Sequence, residues 1–184
     1  MDSRFKKSSN RNNQLDDAQF NSDVENIVQD VETMGHPDPY TTVNPRSGAV
    51  GKYQLLKTYH EKPIEERYGI PFSEIAQHPE QQDDYFRNVL LPGYKKSALK
   101  TMQMFPDSGL DRETMVALQQ LGPANVRKYL SGEASPDLIK QVDRFKEIAN
   151  IHKNRKFQKM KKLLSGKKTA IAQNDGDDAG GEEQ

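Results

Sequence analysis

The feature that most narrows the fold is a helical apolar stripe that runs straight into a cluster of helix breakers. Val24, Ile27, Val28 and Val31 recur at helical spacing. Asn21 and Ser22 stand ahead of them as N-caps. Gly35 follows as a C-cap, and Pro37 and Pro39 bar continuation. The chain therefore enters this region as a helix and leaves it as a constrained loop, with Glu32 in the last helical turn beside the buried stripe.

The same punctuation recurs downstream. "GKYQLLKTYHEKPIEERYG" reads as helical to about Lys62, with Gly69-Ile70-Pro71 closing a turn. A further helix begins after Pro79, carries Tyr85, Phe86, Val89 and Leu90, and is divided from the next by Pro92-Gly93. Leu110, Met115, Leu118 and Leu121 mark a helix that stops at Gly122-Pro123, and "ANVRKYLSGE" is a short one. A longer helix is capped by Ser135, has Pro136 at its first position and places Leu138, Ile139, Val142, Phe145 and Ile148 on its apolar side. No strand-like alternation and no internal repeat interrupt this series. The expected class is mainly α.

Apolar residues are dense only between about Val24 and Ile151, which divides the 184 residues into three parts. Residues 1–19 read as a disordered polar arm, 20–151 as one domain with a real core, and 152–184 as a tail. The formal net charge is zero, yet Ile151 to Lys168 holds eight Lys/Arg and no acid, and Thr169 to Gln184 holds five acids and no base. Blocks of this kind read first as solvated tails. Attraction to nucleic acid, an anionic surface or a partner protein is the alternative, although the helical part carries no nucleic-acid motif. The chain has no cysteine and four scattered histidines, which argues against disulfides and metal. No apolar run approaches the roughly 20 residues of a membrane span, and the N-terminus lacks the apolar core of a secretory signal.

Glu32 is the residue with chemistry to offer. At the C-terminal end of a helix its carboxylate faces the negative end of the macrodipole. Burial beside Val28 and Val31 also disfavours the charged form. Both effects move its pKa toward the range useful for proton donation near neutrality. From periodicity alone an exposed surface Glu is the stronger reading, and the loop that follows shifts the balance. The loop beyond it supplies Ser47, Gly48 and Gly51, where backbone can approach a ligand closely. Tyr53 offers a ring for sugar stacking and Gln54 an amide, groups that suit a polyhydroxylated polymer; a tight turn with a core tyrosine is the other reading.

In order, the chain presents a helix-terminal Glu, "SGAVGKYQLL", "HPEQQDDYF" and "ALQQLGPANVRKYL". This order resembles the lysozyme-like lytic transglycosylases, especially bacteriophage forms of the soluble lytic transglycosylase family, over roughly residues 20–150. Gly51, Lys52, Tyr53 and Gln54 stand where that family has Gly-Leu-Met-Gln. Leu121, Gly122, Pro123 and Val126 match its Ala-Gly-Pro-Gly-x-Val element, and Pro79 and Gln82 match a helix start common in phage peptidoglycan-cleaving enzymes. Three positions depart. Thr33 replaces the serine that follows the catalytic Glu, and Gln119-Gln120 replaces a Tyr-Asn pair whose tyrosine helps position the acid.

The resemblance implies a goose-type lysozyme or transglycosylase fold, no cofactor, and Glu32 as the catalytic residue. It would protonate the oxygen linking N-acetylmuramic acid to N-acetylglucosamine, then take the proton from the C6 hydroxyl as a 1,6-anhydro ring closes. Ordinary glycosidases need two carboxyl groups; here the nearby candidate, Asp38 between two prolines, reads as a loop-shaping residue. Ser47, Gly51, Tyr53 and Gln54 would line one wall of a glycan cleft, and Gln119, Gln120 and Gly122 the other. The expected partner is peptidoglycan, with other virion proteins reached through the C-terminal tail. The setting would be a phage particle or an endolysin made in the host cytoplasm. A hydrolytic muramidase and an inactive virion structural protein with the same fold are the alternatives.

Overall fold

A computed structural model describes residues 4–33 and 36–174. Gly35, Met34 and the acidic end of the tail lie outside the described residues. The chain divides into two units, Met1–Ala149 and Asn150–Gln184. The architecture is mainly helical, and among the described residues no named strand forms.

Helix α1 spans Arg4–Thr33 and is followed by α2 at Lys57–Tyr68, α3 at Pro79–Tyr85 and α4 at Leu91–Met104. Helices α5 (Arg112–Leu118), α6 (Pro123–Leu130) and α7 (Pro136–Asn174) complete the series. Short 3-10 turns cover Pro39–Thr41, Phe72–Gln77 and Gln119–Leu121. The core gathers Val24, Ile27, Val28 and Val31 of α1 with Met115 and Leu118 of α5, Val126 of α6, and Val142 and Phe145 of α7.

Several helix boundaries differ from the sequence reading. Helix α1 begins at Arg4, so Asn21 and Ser22 lie inside it and cap nothing; no Gly or Pro interrupts residues 4–33. Residues 51–54 are not helical. Helix α2 starts at Lys57 and passes through Pro63 to Tyr68, where Gly69, at φ 68°, ends it. Pro63 and Tyr59, whose carbonyl loses its partner, both face solvent. Pro92-Gly93 does not separate helices, because a π turn at Phe86–Leu90 links α3 to α4 and Pro92 falls in the first turn of α4. Missing one N–H there costs little. The caps expected from Ser135 and Pro136 do form: the Ser135 hydroxyl accepts from Leu138 N–H at 3.3 Å. Helix α7 continues through the basic run to Asn174, where composition alone predicted disorder. That run contains good helix formers and no proline.

The loop between α1 and α2 folds as a miniature antiparallel meander. Isolated bridges pair Val43 with Val50 and Val50 with Leu55. Gly51 N–H donates to the Thr42 carbonyl at 2.7 Å, and Val50 and Leu55 exchange bonds of 2.9 and 2.8 Å.

Candidate functional site

Glu32 occupies the last turn of α1, half-buried. Burial pushes its carboxyl up to about 7, with the Arg144 guanidinium pulling weakly the other way. Among the described residues no hydrogen bond to that carboxyl is found. The neighbouring Thr33 is buried and spends its hydroxyl on the Gln29 carbonyl one turn back, at 2.8 Å. Its hydroxyl is thus part of the helix terminus. From α7, Arg144 donates to the Val31 carbonyl at 2.6 Å.

Across from the helix end stands Tyr94 of α4, a residue the sequence reading did not single out. Its phenol is held well above the ordinary value, first by burial and then by the Glu32 charge. The hydroxyl donates to Gln120 Oε1 at 2.6 Å, and Gln120 Nε2 donates to the Tyr53 carbonyl at 3.0 Å. Gln120 therefore ties the 119–121 turn to both the α4 tyrosine and the loop. An aromatic row runs through the same region. Tyr53 stacks on Phe86 with centroids 4.2 Å apart, and Phe86 meets Tyr94 edge-on at 6.2 Å.

The other residues expected at the cleft are placed unequally. Tyr53 has no exposed surface, so its ring is a core group and not a sugar platform. The sequence could not separate these roles, because an aromatic serves either. Gln119 is 2% exposed, bonds the Met115 carbonyl at 3.1 Å and leaves its Oε1 without a partner. It faces the core, so Gln120 alone of the pair can line a cleft. Gln54, half-buried, adopts φ 49°, a strained value for a non-glycine residue, and its amide donates to the Gly51 carbonyl at 3.0 Å. Ser47 is exposed, its Oγ accepting from Ala49 N–H at 3.3 Å within its own turn. Gly122, at φ 88°, precedes α6 half-buried, and a Cβ there would meet nothing within 4 Å. Among the described residues no hydrogen bond links Ser47 or Gly122 to Glu32.

What holds the loop is a cluster the sequence reading missed. Glu25, two turns before Glu32 on α1, is 6% exposed. It accepts from Lys52 Nζ at 2.7 Å, Tyr53 OH at 2.9 Å and Arg87 Nε at 2.7 Å. Asp83 of α3 shares Lys52 at 3.1 Å and Tyr53 OH at 2.7 Å, and accepts from Tyr40 OH at 3.0 Å. Two carboxylates thus face two cations. Burial raises the Glu25 carboxyl, but the bonds from Arg87, Lys52 and Tyr53 outweigh it and hold it below the ordinary value. Lys52 is likewise opposed by burial and held above its ordinary value by Glu25 and Asp83. Such groups stay ionised and do not exchange protons near neutrality. The seven-residue spacing from Glu25 to Glu32, which puts both on one helix face, was the one signal available.

Gln82 completes the clamp. Fully buried, it accepts from Lys52 N–H at 2.9 Å and donates to the Tyr40 and Ile75 carbonyls at 3.1 and 2.8 Å. Gly51 sits against it, and a Cβ there would lie 2.1 Å from Gln82 Oε1. The segments "GKYQ" and "HPEQQDDYF" are therefore two halves of one structural joint.

Among the described residues no metal-binding cluster forms, and no helix is long and apolar enough to cross a membrane. No protein family, curated protein or solved structure matches this chain.

Proposed function

We propose that this chain is a peptidoglycan lytic transglycosylase of lysozyme-like fold, with Glu32 acting first as acid and then as base. The observation that carries the reading is a half-buried carboxyl on the last turn of α1, raised to about 7 by burial. Such a group is protonated often enough to donate and ionised often enough to accept near neutral pH. As it protonates the glycosidic oxygen, the bond to the anomeric carbon breaks and the leaving sugar departs as an alcohol. The substrate N-acetyl group stabilises the developing cation. The C6 hydroxyl then bonds the anomeric carbon, its proton passes to Glu32, and the residue ends as it began.

Transglycosylation is favoured over hydrolysis by the state of the surrounding carboxylates. Asp38 accepts from Thr41 Oγ1 at 2.9 Å within the loop, and Glu25 and Asp83 are committed to Lys52, Arg87 and Tyr53. Held in those ion pairs, Glu25 and Asp83 are not disposed to activate a water. Tyr94, held by Gln120, is the polar neighbour that supports this reading, and a role in phage entry or host lysis accompanies it.

The test is digestion of purified peptidoglycan followed by mass spectrometry. Anhydromuramic ends are expected, and Glu32→Gln should produce none. Reducing ends would instead indicate a muramidase, and no products a virion structural protein with the fold but no activity.

A further inference from the structure

Arg144 lies in "VDRFKEIAN", a stretch without any motif. Its partner is informative. Nη2 donates to the Val31 carbonyl at 2.6 Å, one of the terminal carbonyls that α1 cannot satisfy internally. The bond reaches across 113 residues of sequence and anchors the guanidinium one residue from Glu32. A guanidinium keeps its charge at any working pH and carries more donors than this one bond uses. The groups facing Glu32 are few among the described residues. Arg144 from α7 is a cation, and Tyr94 from α4 stays a neutral phenol because burial raises it. On α1 itself, Glu25 is already paired with Lys52 and Arg87.

We propose that Arg144 is the positioning residue for Glu32, a fixed cation at the end of α1 that stabilises the carboxylate existing between the two proton transfers. The proposal deepens the transglycosylase reading and rests on Glu32 being the proton-transfer group. A single residue serving as acid and then base has conflicting needs. Burial favours the neutral acid, which suits donation, but a carboxylate formed in a dry site is costly when the proton has left. A nearby cation offsets that cost without donating a proton itself, so the two forms remain close in energy. The Val31 bond supplies the rigidity, since a cation on a free side chain would reorganise at each step.

The experiment compares full-length wild type, Arg144→Gln and Arg144→Lys. Glutamine removes the charge and keeps an amide donor for the Val31 carbonyl, whereas lysine keeps the charge and loses the planar fork. The first readout is the titration midpoint of the Glu32 side-chain carboxyl by carbon NMR, assigned by its absence in Glu32→Gln. Arg144→Gln should raise the midpoint by about one pH unit, while Arg144→Lys should stay within a few tenths of wild type. The second is the pH profile of glycan cleavage, whose alkaline limb should move up with the midpoint in Arg144→Gln as the maximal rate falls about tenfold. A folded Arg144→Gln with an unmoved midpoint overturns the proposal, as does an equal shift in both variants. If Arg144→Gln fails to fold, Arg144→Met carries the same comparison. A wild type that releases no glycan products while the midpoints move as stated refutes the transglycosylase reading and leaves the pairing of Arg144 with Glu32 standing.

Discussion

Replacing Gly51 with alanine tests the joint that fixes the loop beside Glu32. Gly51 sits at φ 79°, a left-handed conformation that costs a residue with a Cβ about 1 kcal/mol. The added carbon would also lie 2.1 Å from Gln82 Oε1 and 2.6 Å from its Cδ, so the amide must leave. Gln82 is flexible in principle, but it is fully buried and bonded to Lys52 N–H, Tyr40 O and Ile75 O. Moving it strands a buried donor and weakens two carbonyls, for about 2–3 kcal/mol more. The total is about 3–4 kcal/mol, or a melting temperature lower by roughly 10 °C for a domain of this size. Urea unfolding followed by far-UV circular dichroism measures it. Gln82→Ala alone should be destabilising too, yet in that background Gly51→Ala should add only the conformational term, about 1 kcal/mol. The double-mutant cycle should therefore show roughly 2 kcal/mol of coupling. Strict additivity, or a loss below about 1 kcal/mol in Gly51→Ala, would refute the close approach on which the argument rests.

Glu32→Gln should abolish glycan cleavage and also flatten part of the pH dependence of stability. The carboxyl has a folded value of about 7 against an ordinary 4.5, so its contribution is full below about pH 4.5 and is lost as pH rises through about 7. By pH 8 the loss reaches roughly 3 kcal/mol, and chemical denaturation at pH 5 and pH 8 should show Glu32→Gln overtaking wild type only at the higher value. Lys52→Met should cost about 3–5 kcal/mol by leaving Glu25 and Asp83 with too little positive charge, read as a lower urea midpoint. Tyr94→Phe removes the 2.6 Å bond to Gln120 and should lower stability by about 1–2 kcal/mol while reducing cleavage several-fold; unchanged kinetics would take Tyr94 out of the site. Ending the chain after Ala149, the last residue of the first unit, should leave a folded protein with circular dichroism typical of helix and cleavage of isolated peptidoglycan intact.

Local sequence determined the helical class and the order of the central helices, but not where α1 begins, where α2 begins and ends or where α7 ends. The stripe Val24, Ile27, Val28, Val31 needed only a period of 3.6, and Ser135-Pro136 only the chemistry of a helix start, because both signals act over a few residues. The placement of Glu32 in the final turn of α1 was legible for the same reason, since Val28 and Val31 lie within one turn of it. Tertiary structure decided the rest. Whether Tyr53 would face a ligand or the core turned on Phe86, far along the chain, and on carboxylates 28 and 30 residues away. Gln119 and Gln120 are adjacent in sequence, yet one turns into the core and the other to Tyr94. Glu25 looked like any helix acid until the fold brought Lys52 and Arg87 to it, the latter across 62 residues. Arg144 had no local signature at all. Electrostatics and buried hydrogen bonds depend on distance in space, and only the packed helices bring Arg144 to the end of α1 and Gln82 beneath Gly51.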